Sequence, residues 1–130
     1  PWPWRLTLDV GTHVPLHCTA SGKLFLAFMD EPQREAMLRT LPLPPITPHS
    51  ITTADTLRQA CAAIRDQGYA SDREEFVLGL VAIALPVRDK LGEVRAALAV
   101  HGPAGRLPLE QALLHLPALR EAAERMSALL

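Results

Sequence analysis

An α+β domain, with an antiparallel strand pair packed among helices, is the fold class this sequence predicts, and three observations predict it. Residues 80–87 (LVAIALPV) form an apolar run that follows Gly79. With Val81, Ile83 and Val87 in it, the run reads as a buried strand rather than a helix. A short turn at 88–92 (RDKLG) then leads into 93–101 (EVRAALAVH), and two runs joined by so short a loop pair antiparallel. Apolar residues at helical spacing lie before and after this hairpin. With 130 residues, the chain is sized for one domain with a real core.

From the start of the chain, residues 5–10 (RLTLDV) alternate Leu6, Leu8 and Val10 with Arg5, Thr7 and Asp9, the period of a half-buried strand. Trp2 and Trp4, flanked by prolines, can cover an open edge or one end of a pocket. A loop stiffened by Pro15 follows. A helix is expected from Thr19 to Phe28, with Thr19 as N-cap and Leu24, Ala27 and Phe28 available to the core. Gly22 in its first turns costs about 1 kcal/mol against Ala. Its presence there points to close approach of another backbone or a ligand.

Residues 31–40 read as a short helix with Pro32 at its first position, where the missing N–H does no harm. Four of the eight residues in 41–48 (LPLPPITP) are proline, so this is an extended connector wrapped over the surface. Thr52 with Asp55 resembles a capping box opening the next helix. Leu57, Ala60, Cys61 and Ile64 share one face of that helix, and Gly68 ends it. An acidic turn (Asp72, Arg73, Glu74, Glu75) then precedes the buried strand. After the hairpin, Gly102-Pro103 should break the second strand. Residues 108–115 form one helical segment, and Pro117 opens the last helix. There Leu119, Ala122, Ala123, Met126, Leu129 and Leu130 recur at helical spacing, with Met126 expected in the core.

Composition narrows the function. A hydrophobic content of 48% with 21% charged residues is ordinary for a globular protein, and a net charge of −1 provides no broad basic field for nucleic acid. No apolar run approaches the roughly 18–20 residues of a membrane span, and PWPWRLTL is not a signal peptide. A cytoplasmic location with Cys18 and Cys61 reduced is the expectation. The chain begins without methionine, close to an expected strand, and reads as a piece of something longer.

Catalytic signatures are weak. Gly22-Lys23 is not part of a phosphate loop, because Leu24 stands where a Ser or Thr would hold magnesium. His13 and His17 are separated by Pro15 and have no third ligand, so neither metal nor cofactor is expected. Ser21 lacks the context of a nucleophile. Two features remain. The helix start at 19–23 offers free N–H groups and a positive dipole end to an anion. The acidic turn leads into a small-residue strand, Ala82 and Ala84, opposite Ala97 and Ala99, where small side chains leave room. Together they describe a pocket for a small acid.

The segments GTHVPLHCTASGKLFLAF (11–28), IRDQGYASDREEFVLGLVAIALPVRD (64–89) and AALAVHGPAGRL (96–107) resemble, in order, the effector-binding domain of IclR-type bacterial transcriptional regulators. The resemblance covers nearly all of residues 1–130. It implies a GAF/PAS-like α+β domain with a curved antiparallel sheet flanked by helices. It also implies homodimers or tetramers, small organic or aromatic acids as effectors, and DNA binding through an N-terminal winged helix–turn–helix expected to be absent from this chain. The first strand and helix of the effector domain are expected to be missing as well.

Carried over residue by residue, the resemblance implies anion-binding N–H groups at Ala20 and Ser21. Asp72 would accept from a ligand hydroxyl or hydrate, and Leu6 and Leu80 would form apolar walls. Ala82, Ala99 and His101 are positions where members that bind very small keto acids tend to carry thiol or hydroxyl groups. Alanine at two of the three favours a larger or more apolar acid, because a tiny polar ligand would lose donors and leave a void. Two readings follow: a small-molecule sensor that acts on DNA binding through rearrangement of an oligomer, or a GAF-like interaction module whose pocket is filled by side chains. An enzyme is not expected.

Overall fold

The structure, a computed structural model, describes residues 13–130. The expected strand at 5–10, with Leu6, Trp2 and Trp4, lies outside the described residues. Five helices and three strands follow in the order α1 (Ala20–Phe28), α2 (Glu31–Thr40), α3 (Ala54–Gln67), β1 (Ala70–Arg73), β2 (Leu80–Arg88), β3 (Val94–Pro103), α4 (Leu109–Ala112) and α5 (Leu116–Ser127). One 3₁₀ turn (Leu113–His115) joins α4 to α5. The strands form an antiparallel sheet in the order β1-β2-β3. This is the expected α+β class.

Local chemistry sets most of the element ends. Thr19 Oγ1 accepts the Gly22 N–H at 3.0 Å and caps α1, and Asp30 does the same for α2 through Gln33. The α3 cap is Thr53 rather than Thr52: its hydroxyl accepts the Thr56 N–H at 3.2 Å. Asp55 instead lies in the first turn of α3 and pairs with Arg58. Gly68 closes α3 at φ 83°, a left-handed cap that glycine adopts without steric cost. At the other end of α1, Arg34 donates to the Met29 carbonyl at 2.9 Å and so occupies acceptors the helix leaves free.

The sheet separates two cores by side-chain size. Ala70, Ala82 and Ala84 face α1 and α3 and pack with Leu24, Leu26, Leu57 and Cys61, with Ala97 and Ala99 beside them. Ile83, Leu85 and Val87 face the opposite way, toward Leu109, Ala112 and Ala123. The period-2 alternation of strands sends successive residues to opposite faces. The small side chains therefore do not leave an open space. They let α1 settle close to the sheet, which corrects the expectation that they make room.

Three further expectations change. The segment holding Asp72 is itself a strand, β1, paired with β2, so Asp72 stands in the sheet and not in the turn. β3 continues through Gly102 and Pro103 instead of breaking before them, since Gly102 and Pro103 still pair with Val81 and Leu80 on β2. In α5 only Ala123 is buried, while Met126, Leu129 and Leu130 are exposed. The helix ends at Ser127, whose hydroxyl accepts the Arg88 N–H at the end of β2 at 3.1 Å, while the side chain of Met126 stays exposed. Among the described residues, no helix is long and apolar enough to cross a membrane.

Candidate functional site

The site lies where the start of α1 meets β1 and β3. In the sheet, Asp72 stands opposite Ala82, and Ala82 stands opposite His101. Direct cross-strand neighbours share a face, so all three look toward α1. Beside them opens a hollow of about 200 Å³, lined by Ser21, Thr19 and Val14 on one side. Asp72, Leu80, His101 and Phe76 line the other. Ser21, Asp72, Leu80 and His101 are thus brought together from four separated stretches of chain. Ala20, Ala82 and Ala99 belong instead to the core beneath α1.

Gly22 explains how the helix start can lie so deep. A Cβ there would come within 2.6 Å of Thr19 Oγ1, 2.7 Å of Leu16 Cα and 2.8 Å of the Pro15 carbonyl oxygen. Thr19 also donates to that carbonyl at 2.8 Å, which folds the preceding loop back over the helix end. The close approach anticipated from the glycine is therefore to backbone. With Thr19 serving Gly22, the N–H groups of Ala20 and Ser21 have no acceptor among the described residues. Such a helix end carries a partial positive charge that favours an anion.

Asp72 is buried, 2% exposed, and its Oδ1 accepts the Glu75 N–H at 2.7 Å. Burial pushes its pKa up to about 6; the Glu75 N–H bond and Lys23 pull the other way, and the Glu75 charge adds to the rise. The Lys23 ammonium donates to the Ser71 carbonyl at 2.6 Å and to both Glu75 oxygens at 2.8 and 2.9 Å. The Lys23–Glu75 ion pair is largely enclosed, at 6% and 13% exposure. Cys18 is fully buried nearby, and burial followed by the charges of Asp72 and Glu75 raises its thiol to about 11. A thiol held protonated in this way is unreactive.

The acidic turn is fastened from outside by the Pro-rich connector. Thr47 donates to the Glu74 carbonyl at 2.7 Å, and Ser50 to the Glu75 carbonyl at 2.6 Å. The buried His17 meets the Pro44 carbonyl at 2.9 Å. Glu74 takes φ 58°, and its carboxylate accepts the Gly79 N–H at 2.8 Å, closing the turn on itself. Sequence reasoning did not find Val14 and Phe76 as walls, Lys23–Glu75 as a pair, or Thr47 and Ser50 as anchors. The pair and the anchors join residues 25 to 52 positions apart, and no local spacing signals such contacts.

The donor set is that of a binding site. No group of three or more His, Cys, Asp or Glu side chains among the described residues could hold a metal. Residues 3–128 match the family described as bacterial transcriptional regulator IclR, C-terminal. The chain belongs to the IclR family. It is 40% identical over 125 residues to "Probable transcriptional regulator SauR" of Cupriavidus necator, covering 96% of this chain and 50% of that protein.

The IclR fold recurs in solved structures. The Thermotoga maritima IclR crystal structure superimposes with a TM-score of 0.87 at 33% identity, over 95% of this chain and 50% of that one. A PobR inducer-binding domain from Acinetobacter, a double mutant in complex with 3-hydroxybenzoic acid, gives 0.88 at 30% identity, over 97% and 74%. These relatives are transcriptional regulators, and this chain corresponds to the C-terminal domain of that family. It spans about half the length of the curated relatives it matches.

Proposed function

We propose that this IclR-type domain senses a small organic acid, preferably one with a single aromatic ring, in the hollow between the start of α1 and Asp72. The observation that carries the reading is the convergence of Ser21, at an anion-attracting helix end, with the buried Asp72 on one open space of about 200 Å³. A cavity of about 150 Å³ accommodates benzene, so this one suits a ring with one carboxylate. Val14, Phe76 and Leu80 supply apolar walls for the ring. Ser21 and the free N–H groups of Ala20 and Ser21 suit the carboxylate, and His101 and Asp72 suit a further hydroxyl. The complex of the related PobR domain with 3-hydroxybenzoic acid is consistent with such a ligand.

In a protein of its relatives' length, the effector would act through linkage. A ligand bound more tightly by one arrangement of a dimer or tetramer raises that arrangement's population, and with it the spacing of DNA-binding parts outside this chain. A module filled by its own side chains, the other reading of the sequence, is disfavoured by the open hollow at Ser21. Calorimetric titration with benzoate, 3-hydroxybenzoate and pyruvate tests the proposal. Binding of the ring acids is expected to exceed that of pyruvate. Tight pyruvate binding with no response to the ring acids would overturn the size assignment, and silence from all three would overturn the site.

A further inference from the structure

Asp72 places a carboxyl group in this hollow, and among the described residues no unengaged ammonium or guanidinium lines it. From α1, Lys23 reaches toward this end of the sheet, but its ammonium is engaged by the Ser71 carbonyl and both oxygens of Glu75. The segment ahead of α1 contributes the buried Cys18 thiol, the turn contributes Glu75, and β3 contributes His101. β2 presents only Leu80 and Ala82. Arg73 points to the opposite face and pairs with Glu110 at 2.6 Å. The lining therefore holds one carboxyl and one imidazole, without a guanidinium or ammonium among the described residues.

An organic acid that entered as its anion would put two carboxylates into one hollow of about 200 Å³. Two such groups share a proton rather than both ionise. We propose, building on the effector-site reading above, that binding of the effector's carboxylate at the start of α1 is accompanied by the uptake of one proton on Asp72 across the same hollow. The carboxylic acid of Asp72 then donates to the ligand where the ionised form would repel it. The proton comes from solvent, one for each ligand bound, and no bond is made or broken in the effector.

The unliganded site is already poised for this. Burial, with a smaller push from the Glu75 charge, already brings Asp72 up to about 6, and a second carboxylate alongside raises it further. Desolvation pushes His101 the other way, below the usual imidazole range, so the imidazole is a poor source of neutralising charge at neutral pH. Above about pH 6 each pH unit should then weaken binding about tenfold, because one proton accompanies each ligand. The domain would respond to the concentration of the undissociated acid, a quantity that rises with effector level and with acidification together.

Calorimetry on the tightest binder among 3-hydroxybenzoate, benzoate and pyruvate tests the coupling. Titrations run from about pH 5.5 to 8, and at one pH in two buffers of different ionisation enthalpy, to count protons. Close to one proton taken up at about pH 7.5 is expected, with the tenfold slope. His101→Gln should retain the slope and the uptake whatever it does to the affinity itself, and Asp72→Asn should lose both. An affinity that does not change with pH and no uptake in the parent protein would overturn the proposal while leaving the effector site intact. Uptake that vanishes in His101→Gln but survives in Asp72→Asn would assign the proton to the imidazole and overturn it equally. If no acid binds, the site reading falls and this inference falls with it.

Discussion

Asp72→Asn should make the protein more stable at alkaline pH, and the size of the gain follows from burial. Moving a carboxyl from 3.8 in the unfolded chain to about 6 in the native state costs about 3 kcal/mol once the group is ionised in both. The folded state binds the proton more tightly, so this cost is absent below about pH 4 and complete above about pH 7. Asparagine has the same shape without the charge, and its oxygen can still accept the Glu75 N–H that Asp72 accepts at 2.7 Å. The value of about 6 already contains the attraction to Lys23, so the expected gain is about 3 kcal/mol at pH 8 and shrinks toward zero near pH 4. Urea unfolding of parent and variant at several pH values measures it directly. A difference that stays constant across the range, or one that favours the parent increasingly as pH rises, would refute the burial argument.

Gly22→Ala should destabilise by about 2 kcal/mol in thermal or urea unfolding, although alanine is the better helix former. The new Cβ would meet the Pro15 and Leu16 backbone below 3 Å, and backbone cannot swing aside as a flexible side chain can. Lys23→Met should cost about 3 kcal/mol or more, since it strands the largely enclosed carboxylate of Glu75 without its partner. Replacing Glu75 by Gln in the same variant should recover part of that loss, a double-mutant cycle that isolates the pair. Thr47→Val removes the bond to the Glu74 carbonyl at 2.7 Å, and is expected to weaken effector binding severalfold by calorimetry while costing about 1 kcal/mol of stability.

Elements whose signals are local were legible from the residues. Thr19 as the α1 cap, Gly68 at the end of α3 and the turn into β3 all depend on chemistry within a few positions and appear where expected. Pro32 stands one place later, second in α2 after Glu31, where its missing N–H is equally harmless. The misplacements share a cause. Thr52 and Thr53 are equivalent as sequence, and only helix geometry chooses which hydroxyl reaches the Thr56 N–H. The β1 strand is only four residues long and reads as a polar turn, yet pairing with β2 makes it a strand. Met126 and Leu129 recur at helical spacing, but α5 ends at Ser127, before Leu129, and Ala123 is the α5 residue buried against the sheet while Met126 is exposed.

The candidate site divides in the same way. Ser21, Asp72, Leu80 and His101 were named from a resemblance to the IclR domain, and the fold gathers them around one hollow. The helix start that frees the Ala20 and Ser21 amides is a property of residues 19–23 alone, because a capping hydroxyl and a glycine suffice to define it. Whether Asp72 carries a charge, whether Lys23 is available to a ligand, and what fixes the acidic turn depend on Glu75, Thr47 and Ser50, which come from other parts of the chain. Backbone preference acts between near neighbours and is written in the sequence. Desolvation and ion pairing act between groups that only a finished fold brings together, so the electrostatics of the hollow were decided by tertiary structure.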